Sequence, residues 1–232
     1  MSDEIKLILF TCIALDIVVL AYIYAYKRKK RIERSRVEHF GDNAELMVSE
    51  YIKNAFVGGV LLDNIYLKTE HGLTQLDHIL LCRWGIYIIE TKSHNGKIEI
   101  HDKTWIQRYK DKTVKFHSPI LQNEIHKKAL KNVLMTDKAL SKLPIHDVTV
   151  FTSRNVTFTK KVKGVIKLDE LNRYIKTSIK HRKLRSTAPS KNKKYLTAAE
   201  ISKLKTLIIK NSEKSKIKQE RHKDKIHNYR RI

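Results

Sequence analysis

The chain begins with a long apolar segment. Residues 7–26 are LILFTCIALDIVVLAYIYAY, in which Asp16 is the single charged side chain. A helix needs about 20 apolar residues to cross the hydrocarbon core of a bilayer, so the pattern predicts a transmembrane helix. The residues before it are net acidic and no small-residue cleavage site follows it, which argues against a signal peptide. Asp16 has two interpretations: a tolerated lone carboxylate, or a polar contact through which the helix self-associates.

Apolar runs in the middle of the chain predict a β-sheet. Residues 60–67, 73–82 and 86–92 are rich in Ile, Leu, Val and Tyr and are separated by glycine-containing breaks, as consecutive strands are. The pair Asn95-Gly96 is a strong signal for a type I′ hairpin. Further short strands are predicted at 97–101, 104–110, 112–116 and 146–152.

Apolar positions at intervals of three and four residues predict helices on both sides of these strands. One helix covers 42–56, and a second begins at Pro119 and keeps its apolar stripe to Leu134. Thr197 and Glu200 have the spacing of a capping box that opens a third helix. Elements in the order α, several β, α, β predict an α/β fold with a mixed sheet.

Charge is concentrated in two places. The chain has 48 Lys+Arg against 24 Asp+Glu, a net charge of +24, which indicates a polyanionic partner such as nucleic acid or anionic lipid. Half of the bases lie in 160–232, and seven lie in 27–36, where they form a basic collar. A solvated surface is the alternative for each run. Beyond Lys210 the bases leave too few apolar residues to pack, so this end is predicted to be disordered or to fold on nucleic acid.

The position of the collar predicts the topology of the membrane helix. Because basic residues follow the apolar segment, the positive-inside rule places the N-terminus outside and residue 27 onward in the cytoplasm. Contact with anionic headgroups explains the collar itself. The chain is therefore predicted to be a single-pass membrane protein that contacts lipid through 7–26 and the collar.

Polar residues interrupt the second and third predicted strands. Asp77, Glu90 and Lys92 stand in runs that are otherwise apolar, and burying such side chains without a role is costly. Side chains alternate across a strand, so Glu90 and Lys92 share one face. A two-residue turn at 83–84 would set Asp77 directly across from Glu90, whereas a loop one residue longer would set it across from Thr91.

In the first of these registers the polar residues suit metal-assisted chemistry. Asp77 and Glu90 would lie roughly 5 Å apart at Cβ, and a hard divalent cation would relieve their repulsion. Mg²⁺ suits one or two carboxylates together with water and substrate phosphate, and Mn²⁺ is the other candidate. Lys92 beside such an ion would orient or deprotonate the attacking water. The set favours phosphodiester hydrolysis, with an ion-pair cluster as the alternative. Two lone cysteines exclude a disulfide framework and a cysteine zinc site.

Several short segments in a fixed order carry a family resemblance. They are GDNAE (41–45), TQLDHILL (74–81), GIYIIETKSHNGKI (85–98), Trp105 and SPILQNEIH (118–126). Together they resemble the nuclease-related domain, NERD, which is similar to the restriction-endonuclease-like PD-(D/E)xK superfamily. The resemblance spans roughly residues 38–155 and implies a restriction-endonuclease-like mixed sheet flanked by helices. It also implies that Asp77 and Glu90 are metal ligands, that Lys92 is the catalytic lysine, and that the Thr91 carbonyl is a further ligand.

Further residues match the family or its superfamily. Glu45 matches the acid of the helix before the sheet, where it would complete the metal site or hold a water; a surface charge is the alternative. Gln122 and His126 lie four residues apart on one helix face, similar to the Gln-x-x-x-Tyr motif of recombination-type nucleases. Gln122 is expected to reach the active-site strand or a DNA phosphate, with a polar contact at the helix start as the alternative. His78, next to Asp77, is expected to point to the opposite face.

The sequence thus predicts a membrane-anchored, Mg²⁺- or Mn²⁺-dependent nuclease, with DNA as the expected substrate. Lysine and arginine spread along the tail neutralise phosphates without reading bases, so DNA binding is expected to lack sequence preference. The alternative is a catalytically silent DNA-tethering or membrane scaffold protein that keeps the nuclease fold. The predicted regions are a transmembrane anchor (1–27), the basic collar (28–37), the nuclease domain (38–180) and a basic linker with a helical or disordered tail (181–232).

Overall fold

The computed structural model describes residues 3–56, 59–177 and 195–229. The chain divides into two compact units, Met1–Asn43 and Ala44–Ile232. Most of the predicted linker, 181–194, lies outside the described residues.

The first helix is far longer than the sequence pattern predicts. Helix α1 (Asp3–Ala55) runs for 53 residues without a break. It contains the apolar run, the basic collar and the predicted helix 42–56, three segments that the pattern predicts as separate elements. No proline interrupts this stretch, so nothing in the backbone chemistry forces the helix to end earlier.

The predicted transmembrane helix is contradicted. In the part of the chain that the structure describes, no helix has both the length and the apolar composition to cross a membrane. This finding overturns the transmembrane part of the predicted fold, the anchor assigned to 1–27 and the single-pass membrane localisation.

Five strands form the central sheet of the second unit. They are β1 (Val60–Thr69), β2 (Gly72–Cys82), β3 (Gly85–Lys92), β7 (Ile145–Phe151) and β9 (Val165–Lys167). Their order across the sheet is β1-β2-β3-β7-β9. The β1–β2 and β2–β3 pairs are antiparallel, and the β3–β7 and β7–β9 pairs are parallel. This sheet is therefore mixed.

A second sheet lies beyond the end of β3. Its strands are β4 (Gly96–Glu99), β5 (Thr104–Tyr109), β6 (Lys112–His117) and β8 (Val156–Phe158), in the order β6-β5-β4-β8. The prediction of a hairpin at Asn95-Gly96 is wrong, because β3 and β4 belong to different sheets. Gly96, with φ 72°, instead turns the chain from one sheet to the other. A Cβ there would lie 2.4 Å from the Arg108 carbonyl oxygen, so only glycine fits. The fold is thus mixed α/β with two sheets flanked by helices.

Helices cover both faces of the central sheet. Helices α2 (Pro119–Leu134) and α4 (Ala198–Asn211) share an apolar cluster with one face of β3. The end of α1 and helix α3 (residues 171–177) share another cluster with the opposite face. The alternation of β3 decides the partner of each side chain. Ile86 and Ile88 belong to the first cluster, and Tyr87 and Ile89 to the second.

The described C-terminal part of the chain contains two helices. The capping box is confirmed: Thr197 Oγ1 accepts from the Glu200 N–H at 3.2 Å, and Glu200 accepts from the Thr197 N–H at 2.9 Å. Beyond it, helix α5 (Lys216–Tyr229) forms where the sequence predicts disorder or folding on nucleic acid. The Glu213 N–H donates to the Tyr66 carbonyl at 2.8 Å, which ties the start of this segment to β1.

Candidate active site

The site is built on the hairpin of β2 and β3. Cys82 pairs with Gly85, and the ladder continues as far as His78 opposite Ile89. This register selects the first of the two alternatives, the two-residue turn at 83–84. One further step would set Asp77 opposite Glu90.

The two strands separate at Asp77. Asn64 on β1 stands across from Asp77 on β2, but these two residues do not pair, although the pairs on either side of them keep one register. Asn64 has a positive φ of 56°. Side chains alternate between the two faces of a strand, so residues three apart should lie on opposite faces. Leu76 and Ile79 instead both pack in the cluster shared with α2, so the alternation of β2 shifts by one residue between them. Backbone irregularities of this kind re-aim side chains next to functional sites. Here Asp77 Oδ2 accepts a hydrogen bond from the Thr91 N–H at 2.8 Å, in place of a ladder bond.

Glu90 and Lys92 lie on the face of the sheet that α2 covers. Lys92 Nζ donates to Glu90 Oε1 at 2.5 Å and to Gln122 Oε1 at 3.0 Å. Glu90 is 1% exposed and Lys92 is 7% exposed, so both charges are held away from bulk water. Pro119 begins α2, and the side chain of Gln122 in the first turn reaches the strand. The structure therefore brings Glu90, Lys92 and Gln122 into direct contact.

Two buried residues that the sequence analysis did not assign to the site complete this network. His126 Nε2 lies 3.1 Å from Glu90 Oε2, and His126 Nδ1 lies 2.8 Å from Thr74 Oγ1. A carboxylate that carries a charge can only accept, so Nε2 bears the hydrogen of the first bond. The four-residue interval between Gln122 and His126 could have indicated this contact, because both side chains face the same strand.

The charged form of Asp77 is disfavoured in the site. Burial raises its pKa well above the usual range, and the nearby carboxylates of Glu90 and then Glu45 raise it further. The charge of Lys92 and the hydrogen bond from Thr91 act in the opposite direction but do not prevail. Buried acids that repel one another favour the binding of a proton or a cation.

Glu90 behaves in the opposite way. Burial acts to raise its pKa, but the charge of Lys92 and the hydrogen bond and charge of His126 lower it to about 2. Lys92 thus neutralises Glu90 first, which leaves Asp77 as the unmatched acid. Paired groups with opposite pKa shifts are characteristic of sites at which protons or ions are handled.

The remaining predicted site residues lie around Asp77. Glu45 is on α1, half-buried, and close enough for its charge to raise the pKa of Asp77. The N–H and carbonyl of one strand residue point to the same side, so the Thr91 carbonyl faces the gap that Asp77 occupies. The Thr91 hydroxyl points elsewhere and has no hydrogen-bond partner among the described residues.

The donor set fits a hard divalent cation held by few protein ligands. Across 3–56, 59–177 and 195–229, no group of three or more His, Cys, Asp or Glu side chains is arranged to hold a metal. Two carboxylates and a backbone carbonyl, with unmatched negative charge at Asp77, suit Mg²⁺ or Mn²⁺, which keep several waters. Asp77, Glu90 and the Thr91 carbonyl are the residues that would hold the ion.

A second polar cluster occupies the opposite face of the sheet. His78 Nδ1 lies 2.8 Å from Asp63 Oδ1, and Ser49 Oγ donates to Asp63 Oδ2 at 2.8 Å. Lys53 Nζ is 3.7 Å from the same oxygen. His78 thus points away from the site, as predicted. Burial acts to raise the pKa of Asp63, but the hydrogen bonds from His78 and Ser49 outweigh it, so the pKa is lowered.

Comparison with known proteins agrees with this geometry. Residues 40–152 match the family model of the nuclease-related domain, NERD. The chain is also 29% identical over 124 residues to an uncharacterized protein of Bacillus anthracis, an alignment that covers 50% of this chain and 56% of the relative. The chain thus spans about half the length of the curated relative it matches, and no solved structure matches it significantly. Residues 40–152, which include Asp77, Glu90, Lys92 and Gln122, belong to the nuclease-related domain family.

Proposed function

We propose that this chain is a divalent-metal-dependent nuclease that hydrolyses phosphodiester bonds, with DNA as the expected substrate. The observation that carries the proposal is a second buried acid, Asp77, beside the Glu90–Lys92 ion pair and inside a nuclease-related domain. A purely structural ion pair would need one acid and one base. The additional buried acid is costly to the fold, and such a cost is expected where a cation is bound.

Each residue has a role that follows from its contacts. A divalent cation held by Asp77 and Glu90 would polarise the scissile phosphate and supply a more acidic water. Lys92, whose ammonium lies between Glu90 and Gln122, is placed to orient that water or to offset charge on the phosphate. Gln122 holds Lys92 in this position. Thr91 orients Asp77 through its N–H.

The charge of the chain supports nucleic acid as the substrate class. The net charge is +24, and bases are spread over α4 and α5 rather than gathered on one recognition element. Contacts of this kind bind phosphates without reading bases, so affinity should fall steeply with salt. We therefore expect cleavage without strong sequence preference.

The proposal is tested by incubating the full chain with supercoiled plasmid in Mg²⁺, in Mn²⁺ and in chelator. We expect nicked and linear products with either metal and none in chelator. The Asp77→Asn variant should bind the plasmid as tightly as the wild type and leave it intact. Glu99→Gln is the matched control, because it removes a half-buried carboxylate in the second sheet, away from Asp77, that pairs with Arg108. Cleavage that persists in chelator or in Asp77→Asn would contradict the proposal.

A silent DNA-tethering protein is the second candidate. It is favoured by one observation: both oxygens of Glu90 are already engaged, by Lys92 and His126. This function predicts salt-sensitive plasmid binding with no products in either metal, and no change in binding on Asp77→Asn. Tight binding without cleavage would therefore select it.

A further inference from the structure

Asn64 is an exposed residue with a strained backbone next to the candidate site. It stands across from Asp77 on the neighbouring strand, where the β1–β2 ladder is interrupted. Its φ of 56° lies in the left-handed region, which a residue other than glycine adopts at a cost. Residues held in this region cluster at active and binding sites, so Asn64 is a candidate for contact with the substrate.

Two successive hydrogen bonds orient the side-chain amide of Asn64. The Tyr66 hydroxyl donates to Gln75 Oε1 at 2.8 Å, and Gln75 Nε2 donates to Asn64 Oδ1 at 2.7 Å. Tyr66 is 4% exposed, Gln75 is half-buried and Asn64 is exposed, so these bonds lead from the interior to the surface. Since Oδ1 accepts from Gln75, the two hydrogens of Nδ2 lie on the other side of the amide. The strands thus present an oriented N–H donor at the surface, across from Asp77.

The charges near Asn64 explain why a neutral donor suits this position. Asp77 is buried close to the carboxylates of Glu90 and Glu45, and the cation proposed there needs their charge. A lysine or arginine across from Asp77 would neutralise this acid and compete with the cation. An amide adds no positive charge, yet a hydrogen bond from it to a charged phosphate oxygen is stronger than one to a neutral acceptor. Asn64 can therefore hold an anionic substrate without disturbing the acids.

Helix α5 lies at the buried end of the same hydrogen bonds. Just before the helix, the Glu213 N–H donates to the Tyr66 carbonyl at 2.8 Å. Within the helix, the His222 ring packs edge-on against the Tyr66 ring, with centroids 6.0 Å apart. The exposed side chains of α5 include four bases, Lys216, Lys218, Arg221 and Lys223, against two acids, Glu220 and Asp224. A nucleic acid backbone that runs from Asp77 past Asn64 toward Tyr66 would therefore continue onto positive charge.

Resting on the nuclease function proposed above, we infer that Asn64 binds the sugar–phosphate backbone of a nucleic acid next to Asp77. Its Nδ2 group donates to a non-bridging phosphate oxygen, while Gln75 and Tyr66 hold the amide in the donating orientation. The bases of α5 hold the continuing backbone by charge. The contact is to the backbone alone, so it adds affinity without a preference for particular bases.

The test measures DNA binding in chelator, so that neither metal nor cleavage enters the result. A short fluorescein-labelled DNA duplex is titrated with the full chain at several salt concentrations, and its anisotropy is followed. Asn64→Gly should weaken binding by about tenfold or more, the effect of losing a hydrogen bond to a charged group. Glycine adopts a positive φ without strain, so this variant should fold as the wild type does.

The salt dependence separates an amide contact from a charge contact. Asn64→Gly removes no charge, so the slope of log affinity against log salt concentration should stay at the wild-type value. Arg221→Gln removes an exposed base of α5 and should reduce that slope by about 1. An unchanged affinity and slope in Arg221→Gln would overturn the path along α5.

Two further variants test the donor and its orientation. Asn64→Asp keeps an acceptor for Gln75 but replaces the donor with a negative charge, so it should weaken binding more than Asn64→Gly does. Asn132→Asp is the matched control, because Asn132 is exposed near the end of α2, away from Gln122 in its first turn. It should bind nearly as the wild type does. Tyr66→Phe removes the hydroxyl that orients Gln75 and should show a smaller loss than Asn64→Gly.

The outcomes distinguish this inference from the proposed function. Wild-type affinity in folded Asn64→Gly, or equal losses in Asn64→Asp and Asn132→Asp, would overturn the inference even if the wild type cleaves plasmid. Tight binding by a wild type that cleaves in no metal would contradict the nuclease, and weaker binding by Asn64→Gly would then still support the contact. Absence of DNA binding by the wild type would overturn both.

Discussion

The two faces of the central sheet carry similar polar clusters, each with an acid, a histidine and a lysine, but one cluster has an additional buried acid. On one face Glu90 contacts a histidine, His126, and a lysine, Lys92. On the other face Asp63 contacts a histidine, His78, and a lysine, Lys53. Each cluster is a carboxylate with two basic partners, and the adjacent residues Asp77 and His78 on β2 send one side chain toward each.

The difference between the two clusters is one acid. Asp63 is the acid that contacts both bases of its cluster. Its side chain is 32% exposed, and its pKa is lowered. The Glu90 cluster is almost fully buried and includes Asp77, whose pKa is raised. Acid, histidine and lysine in contact therefore do not identify a catalytic site by themselves. A buried acid left without a base favours a ligand site, because only a ligand or a proton can neutralise it.

The largest effect should come from removing the unmatched acid. Asp77→Ala is expected to lower the plasmid cleavage rate by about three orders of magnitude or more, because loss of the metal removes several kcal/mol of transition-state stabilisation. The corresponding change on the other face, Asp63→Ala, should leave the rate near that of the wild type wherever the variant folds. Single-turnover rates in Mg²⁺ measure both. Similar losses of cleavage rate in the two variants would contradict the claim that only the face with Asp77 carries the site.

The second-largest difference should be between the cleavage rates of variants at the two lysines, Lys92 and Lys53. Lys92→Met is expected to slow cleavage by roughly 10²- to 10⁴-fold, the range for a group that assists proton transfer. Lys53 is 61% exposed at the side chain, and Lys53→Met should cleave normally. The pH dependence of the residual rate is the second measurement, since a lysine that acts on the water contributes to it. Normal cleavage by folded Lys92→Met would assign the lysine a structural role.

Stability should respond to the two acids with opposite signs. A raised pKa in the folded state contributes stability only at low pH, and that stability is lost as pH rises through the folded value. Asp77→Asn, which cannot ionise, should therefore melt at higher temperature than the wild type at neutral pH in chelator, by about 2–4 °C for each kcal/mol gained. The difference should shrink as pH falls below the ordinary aspartate range.

Asp63→Asn is the opposite case. Its pKa is lowered, so the charged form contributes stability above the unfolded pKa, and this is lost as pH falls through the folded value. The variant should melt at lower temperature than the wild type at neutral pH and converge with it in acid. Thermal melts of the two variants across pH provide the comparison, and shifts of the same sign would contradict it.

The smallest effect should come from Thr91. Its contributions to the site are the N–H bound to Asp77 and the carbonyl, both of which any residue supplies. Its buried hydroxyl has no partner among the described residues, so Thr91→Val should be neutral or slightly stabilising. Cleavage should be unchanged. A large loss of cleavage in a well-folded Thr91→Val would show that the hydroxyl acts in the site.

The sequence predicted the local parts of this molecule well. Strand bounds for β1 to β3, the turn at 83–84 and the start of α2 at Pro119 all follow from apolar periodicity and turn chemistry, which act over a few residues. Asp77, Glu90 and Lys92 could be selected because an interrupted apolar strand and a family motif coincide there.

The parts that failed depend on contacts distant in sequence. The parallel pairing of β3 with β7 and the second sheet, into which Gly96 turns the chain, are set by tertiary packing. The alternation of β2 shifts between Leu76 and Ile79, which lie in the same apolar cluster, and no residue pattern in the sequence indicates this shift. His126 was missed as part of the site because its partners, Thr74 and Glu90, lie on other elements.

The most direct test of the central claim is the effect of Mg²⁺ on the melting temperature at neutral pH, in the full chain and in Asp77→Asn. A ligand that binds only the folded state stabilises it, by about 2.7 kcal/mol at a hundred times its Kd. We expect Mg²⁺ to raise the melting temperature of the wild type and of Asp63→Asn, and to leave that of Asp77→Asn unchanged. An equal rise in all three would contradict the claim that Asp77 and Glu90 hold the cation.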